Sequence, residues 1–212
     1  MRFKICIAVA ALICSGLGQT AIAQNQFSNP GFEDPITFDG PPFVGSWEGF
    51  SSGGPASSGN LAITPRTGLQ HLGLSITNQQ NAFAGAFQDV GGLTAGSLVT
   101  FSGWHMTPSN PFDLGVEFRI EWRNSVSNTE VSRTPNMTTA PTGTYSLFSL
   151  NAAVPAGADT ARCVYAIQTF GGDGPTHNGV VYIDDASFVP APASFALAMG
   201  AIGMAGLRRR RA

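Results

Sequence analysis

Lysine occurs once in this chain, at Lys4, and cysteine three times, at Cys6, Cys14 and Cys163. Between residues 24 and 188 the strong cations are Arg66, Arg119, Arg123, Arg133 and Arg162. They face 13 Asp and Glu, for a formal charge of −8. A surface so poor in cations excludes nucleic acid as a partner, because phosphates require a basic face. Cys163 stands alone in that stretch, so it forms no internal disulfide, and its neighbours Ala161, Val164 and Tyr165 predict a buried, inert thiol. His71, His105 and His177 are scattered, with no His/Cys spacing that suits zinc. No serine sits in a Gly-x-Ser-x-Gly elbow. A long apolar pattern of period 3.6 is missing as well, which argues against a helical body. These absences leave little for catalysis, and a non-enzymatic protein is expected. Asp173 and His177 share a loop, where acids and histidines are ordinarily solvated, and Asn136-Met137-Thr138 matches a glycosylation acceptor with no further support.

The two ends differ from the middle. Residues 1–23 carry Arg2 and Lys4, an apolar stretch from Ile5 to Leu17, and Ala21-Ile22-Ala23 before Gln24. That order of basic, apolar and small residues predicts a secretory signal peptide. Ile13 stands where a small residue is wanted before a lipidated cysteine, so Cys14 is not expected to carry lipid. Residues 189–212 hold Pro190 and Pro192, an apolar run from Phe195 to Leu207, and four arginines, Arg208, Arg209, Arg210 and Arg211. As a helix the apolar run reaches only ~20 Å, against ~30 Å of bilayer hydrocarbon, and the prolines block its extension backward. The arginines favour the cytoplasmic side of a membrane. This layout resembles the PEP-CTERM sorting signal of Gram-negative bacteria. The resemblance implies transient membrane insertion of the tail and recognition by an exosortase-type membrane protease. The family's Pro-Glu-Pro is here Pro190-Ala191-Pro192, which leaves cleavage open, as does the alternative of an ordinary membrane anchor.

The middle, residues 24–188, is long enough for one domain with a sizeable core. It is rich in Gly, Ser, Thr, Asn and Pro, and its apolar residues come in short alternating runs, the signature of an all-β sandwich or barrel. In Val116 to Trp122 the residues Val116, Phe118, Ile120 and Trp122 share one face and Glu117, Arg119 and Glu121 the other. Further strands are expected at 98–106, 145–150, 161–170 and 180–188, with weaker ones at 61–64, 72–77 and 82–90. Residues 35–55, 125–141 and 171–175 read as loops.

The body opens with Asn29-Pro30-Gly31-Phe32-Glu33-Asp34 and closes with Tyr182-Ile183-Asp184-Asp185-Ala186-Ser187-Phe188. If the terminal segments are neighbours, Glu33 meets one of the two aspartates. Paired carboxylates need a shared proton or a cation, and Ca²⁺ with carbonyl oxygens is the common answer. Between these motifs, in order, stand Trp47, RTGLQHLGL from Arg66, QDVGGLTAGSLVTFSGWHM from Gln88 and VPAGA from Val154. The ordered series resembles a carbohydrate-binding module of the galactose-binding-like jelly roll, akin to families 4, 9 and 22. That resemblance implies a jelly-roll β-sandwich with a structural Ca²⁺ held by Glu33, the Thr67-Gly68 turn and Asp184, or else Asp185.

Such modules stack flat aromatics on pyranose faces and fix hydroxyls with polar side chains. The candidates are Trp47, Trp104, Trp122 and Tyr145, with Glu117, Arg119 and Glu121 on the polar face of their strand. Trp122 shares its face with Val116, Phe118 and Ile120 and is expected in the core; Trp104 suits either side. Glu117 and Glu121 lie about 13 Å apart on one strand, beyond the ~5–9 Å that glycoside hydrolysis requires. The expectation is a secreted cell-envelope or matrix protein that binds polysaccharide. A structural or adhesive protein of the same fold without a sugar site is the alternative.

Overall fold

The computed structural model describes residues 24–43, 45–109, 112–170 and 177–191. Ten strands build two five-stranded antiparallel sheets, and no helix occurs among the described residues. Sheet A has the order β1-β4-β9-β6-β7: β1 (Glu48–Ser51), β4 (Phe83–Val90), β9 (Thr160–Gln168), β6 (Gly115–Asn124) and β7 (Thr129–Arg133). Sheet B has the order β2-β3-β10-β5-β8: β2 (Ala56–Leu61), β3 (His71–Ile76), β10 (Gly179–Pro190), β5 (Leu98–Met106) and β8 (Ser146–Ala153).

The alternation in β6 works as its sequence predicts. Val116, Phe118, Ile120 and Trp122 turn inward, and the charged residues between them turn outward. Opposite them, β5 contributes Val99 and Phe101, β8 Phe148 and Leu150, and β10 Val181, Ile183 and Phe188. At the centre the rings of Phe101, Phe118, Phe148 and Tyr165 pack together, edge-on or tilted about Phe148, which lies 4.9 Å from Phe118 and 5.0 Å from Tyr165, while Phe118 and Tyr165 are parallel at 6.4 Å. His105 Nδ1 lies 2.7 Å from the Tyr165 hydroxyl inside this cluster. Cys163 is fully buried, and burial pushes its thiol pKa well above the usual value, in keeping with an inert side chain.

Two expected loops contain strands. Residues 35–55 include β1, and residues 125–141 include β7, an edge strand whose residues are all exposed. Neither shows an alternating apolar pattern, because β1 is four residues long and β7 has no buried face. The strand expected at 61–64 begins and ends earlier, as β2, and β10 continues two residues beyond Phe188 to Pro190. Pro190 fits there because β3 pairs only with residues 179–183, so no neighbour on that side asks for its missing N–H.

The two ends of the domain are joined through the backbone. Gln26 N donates to Phe188 O at 2.9 Å, and Ala186 N donates to Pro30 O at 2.8 Å. The opening motif therefore lies beside the closing strand, the arrangement under which Glu33 and an aspartate meet.

Candidate functional site

The outward face of sheet A carries an aromatic row on one side and a charged row on the other. In β4 the alanines Ala84 and Ala86 point into the core, which turns Phe83 and Phe87 outward, Phe83 being 44% exposed. Phe50 from β1 lies over Gly85 between them, its ring 6.1 Å from Phe83 and 6.3 Å from Phe87. A Cβ at Gly85 would overlap that ring, so the glycine is what lets Phe50 lie flat on the sheet. Phe43 meets Phe87 edge-on at 5.1 Å. Arg162, held by Asp89 at 2.8 Å, stacks 4.0 Å from Phe87 and 4.8 Å from Phe43.

Two strands away, β6 presents Glu117, Arg119 and Glu121. The register aligns rows across the sheet: Gly85, Ala166 and Glu117 in one, Phe87, Val164 and Arg119 in the next. Two strand spacings separate the walls, ~10 Å, and the small residues Val164 and Ala166 of β9 lie between them, covered and only 2% and 3% exposed. Arg119 bridges its neighbours, with Nη1 on Glu117 and Nη2 on Glu121 at 2.7 Å. Asn136 and Gln168 donate amide N–H groups to Glu117, and Arg133 lies 3.7 Å from Glu121. These three residues are thus a partly covered network of donors and acceptors beside an apolar platform. That combination meets the needs of a sugar, whose C–H face and hydroxyl rim require different partners.

At one corner of sheet B the sequence-predicted calcium ligands come together. A bulge in β10 between Asp184 and Ser187, with Asp185 at φ 47°, turns both aspartates toward the loop that joins β2 to β3. Asp184 is 0% exposed; its Oδ2 accepts from Arg66 N at 2.8 Å and Thr67 N at 3.1 Å, and its Oδ1 from Asp185 N at 2.7 Å. Burial raises the Asp184 pKa above the ordinary carboxylate value, against the pull of these amides. Asp185 accepts from the Thr67 hydroxyl at 2.6 Å and pairs with Arg66. Glu33 Oε1 accepts from Leu69 N at 2.9 Å and Gln70 N at 3.3 Å. Gly68, at φ +64°, passes so close to Glu33 that a Cβ would overlap the carboxylate.

The donor chemistry here fits a hard cation. All the side-chain ligands are oxygens, and the space where a Cβ of Gly31 would stand lies 3.8 Å from Asp184 Oδ1 and 4.0 Å from Glu33 Oε1. Among the described residues no three His, Cys, Asp or Glu side chains gather as a metal cluster, so carbonyl oxygens would have to complete the shell.

The aromatic candidates do not form one site. Trp47 is a correction: it is 2% exposed, donates Nε1–H to Asn29 O at 3.0 Å, and lies 4.8 Å from both Phe27 and Phe32. Its indole closes the core beneath the opening motif, where no ligand reaches it. Trp122 is buried, as expected. Trp104 faces outward, but from sheet B, and the Arg66 guanidinium covers its ring at 4.0 Å. Tyr145 belongs to the same side, its hydroxyl donating to Thr64 O at 3.2 Å; burial and the nearby Asp184 raise its pKa. Trp104 and Tyr145 are therefore separated from Glu117 and Arg119 by the whole sandwich. The sequence reading missed Phe50, Phe83 and Phe87. The signal was Phe-Ala-Gly-Ala-Phe at 83–87, where the side too small to fill a core is the one that packs inward. Of the tail motif, Pro190 ends β10, while Pro192 and Arg208, Arg209, Arg210 and Arg211 lie outside the described residues.

No protein-family model matches this chain, and no curated protein matches it in sequence. Solved structures do. One is the enzymatically active domain of tailspike protein 4 of Bacteriophage CBA120, 15% identical with a TM-score of 0.59, covering 79% of this chain and 21% of that one. Another is the tandem of family 22 carbohydrate-binding modules from Paenibacillus barcinonensis, 16% identical with a TM-score of 0.55, covering 81% of this chain and 46% of that one. A third is a family 4 carbohydrate-binding module, 16% identical with a TM-score of 0.50, covering 78% of this chain and 99% of that one. This chain spans about a fifth of the tailspike domain and less than half of the tandem. At such identities the likeness speaks to architecture alone. The architecture is an all-β jelly-roll sandwich of the kind found in carbohydrate-binding modules.

Proposed function

We propose that this chain is a non-catalytic extracellular module that binds a polysaccharide on the outward face of sheet A. One observation carries the reading: the rings of Phe50 and Phe83, with Phe87 beneath the Arg162 guanidinium beside them, stand across Val164 and Ala166 from the Glu117-Arg119-Glu121 network. A pyranose laid against the phenyl rings would present its hydroxyls to carboxylate acceptors and to guanidinium and amide donors. Catalysis is not part of the proposal, since the two glutamates are four residues apart on one strand with Arg119 between them.

The test is a pull-down of the purified chain with insoluble polysaccharides, together with a glycan array. Saturable binding that falls at least tenfold in Phe87→Ala and in Arg119→Ala is expected. Unaltered binding in both variants, or no binding to any glycan, sinks the reading.

The corner of Glu33, Asp184 and the 66–68 turn is proposed to hold a structural Ca²⁺. Charge compensation there would fix the loop to the closing strand, away from the outward face of sheet A. The terminal segments are proposed to export the chain and to deliver it, through an exosortase-type protease, to the envelope or matrix. Their support is the sequence order of Pro190 and Pro192, the apolar run and Arg208 to Arg211. Replacing the four arginines with glutamine in a producing cell should leave precursor in the membrane fraction. Normal release of that variant would overturn the sorting role.

A further inference from the structure

The loop ahead of β1 closes over one end of the aromatic row. Glu48 stands opposite Phe87 in the β1–β4 register, yet it is only 8% exposed, because residues 37–40 lie across it. Its Oε1 accepts from Gly40 N at 2.9 Å, and its Oε2 from the Thr37 hydroxyl at 3.1 Å and Asp39 N at 3.3 Å. These donors are all neutral. Among the described residues no Arg, Lys or His forms an ion pair with Glu48. The nearest guanidinium in the register, Arg162, is committed to Asp89 and to the rings of Phe87 and Phe43. A carboxylate taken out of water without an opposite charge is costly to hold, even when it is hydrogen-bonded. Beside it lies a cavity of about 140 Å³, whose lining includes Ser28, Phe43, Ser46, Glu48, Phe87 and Asp89. That is small against the ~300–1,000 Å³ of a pocket for a whole ligand, so the cavity admits one edge of a sugar ring.

We propose that this cavity takes the protonated amine of an amino sugar, so that the ligand class of this face is a glycan with free amino groups. The inference rests on the glycan reading above and narrows it. On β6 and β7 the carboxylates of Glu117, Glu121 and Glu130 are matched by the guanidiniums of Arg119, Arg123 and Arg133. Around the cavity they are not: Asp39, Glu48 and Asp89 face Arg162 alone, three carboxylates against one guanidinium and a formal −2. The excess negative charge of the face therefore gathers at the cavity. An ammonium would supply the charge that Glu48 lacks, with Ser28 and Ser46 as further sources of acceptor oxygens and the rings of Phe43 and Phe87 beside its carbon neighbours. A divalent metal suits the place less well. It wants six or more oxygens, whereas the two oxygens of Glu48 already accept three hydrogen bonds and phenyl rings form part of the wall. A uronic or sulfated sugar would bring like charge to like, and an N-acetyl group brings no charge and takes more room. At longer range the formal charge of −8 on the body draws a cationic polymer and repels an acidic one.

The experiment is titration calorimetry of the full chain at about pH 6, where the amine is charged. The probes are a β-1,4-linked glucosamine oligosaccharide and the same oligosaccharide after N-acetylation. The amine form is expected to bind at least about tenfold tighter. Glu48→Gln should abolish that preference, and so should Ser46→Lys, which places the chain's own ammonium in the cavity. Glu130→Gln, the same change of charge on β7, should leave the preference as it is. Thermal melts check that the variants fold. Ser46→Lys leaves the three hydrogen bonds to Glu48 in place, so it decides the matter if Glu48→Gln does not fold. Equal affinity for the two forms overturns the proposal, as does a preference that survives Ser46→Lys. A preference lost as fully in Glu130→Gln as in Ser46→Lys marks a bare charge effect and overturns it too. Equal binding of both forms that falls in Phe50→Ala keeps the glycan reading and removes the amine. No binding of any oligosaccharide or polysaccharide, with free glucosamine still bound and lost in Ser46→Lys, sinks the glycan reading and keeps the cavity.

Discussion

Phe87 and Arg119 lie on one row of sheet A, two strands apart, with only Val164 between them. An apolar ring and a guanidinium are thereby held on either side of a single short side chain, itself covered. Both walls sit on paired strands, so the gap between them is set by backbone hydrogen bonds. Removing either wall should weaken glycan binding without unfolding the protein. Phe87→Ala and Phe50→Ala are each expected to cost about 1–2 kcal/mol of binding, roughly tenfold, by titration calorimetry. Trp104→Ala, on the opposite sheet, should leave the affinity as it is. If Trp104→Ala abolishes binding and Phe87→Ala does not, the site lies on sheet B.

How much of this was legible in the sequence depends on whether a local pattern or a long-range pairing decides. The inward and outward faces of β6 follow from alternation alone, and the placing of Glu33 and Asp184 against the one loop 66–70 follows from the two end motifs lying together. Trp47 misled because its position after a turn-rich loop resembles an exposed aromatic. Its burial comes from Phe27 and Phe32, two residues of a segment without regular structure. The Phe83 and Phe87 platform misled in the opposite way: a hydrophobicity scale sends phenylalanine inward and alanine outward. Here the core beside β4 is already filled by Trp47, Tyr165 and Ile167, and only alanine fits. Which residues share a face was readable; which face is covered was not.

Gly68 and Gly92 offer a matched pair for the corner of sheet B. Both have positive φ, +64° and +74°, so an alanine at either position carries backbone strain of about 1 kcal/mol. At Gly92 nothing lies within 4 Å of the added methyl, whereas at Gly68 it would overlap the Glu33 carboxylate. Gly68→Ala is therefore expected to lose about 2 kcal/mol or more beyond Gly92→Ala in urea denaturation. Equal losses would mean that Glu33 is not anchored against this turn.

Calcium should register as stability. A cation that binds the folded corner and not the unfolded chain contributes about 2.7 kcal/mol at a hundred times its dissociation constant. The melting temperature is expected to rise with added Ca²⁺ and fall with chelator, and Asp184→Asn should remove the response. That variant also keeps the shape of the side chain while relieving a buried charge, so it separates loss of metal from loss of packing. A melting temperature indifferent to both Ca²⁺ and chelator would sink the metal assignment.

Acid should destabilise the fold through its two buried histidines. His71 stacks on Tyr182 with ring centroids 4.3 Å apart, and His105 lies in the aromatic core; burial lowers both pKa values from 6.5 to about 4. The unfolded chain therefore takes up protons below its pKa of 6.5 that the folded chain refuses until about pH 4. Stability is expected to be whole above pH ~7, to fall as pH drops from ~6.5 to ~4, and to level off below that, by roughly 3 kcal/mol per histidine. Asp184 acts with the opposite sign. Its raised pKa means that the folded state holds a proton the unfolded chain has already lost, so its share of stability is present at low pH and disappears as pH rises through the folded value. The two effects separate by mutation. His105→Phe should flatten the slope between pH 6.5 and pH 4 in urea midpoints, whereas Asp184→Asn should steepen its acidic part, because the Asp184 contribution opposes that of the histidines just above pH 3.8. Midpoints constant from pH 7 to pH 4 would show that water or a counter-ion reaches both imidazoles, and that neither is held neutral by the packing around it.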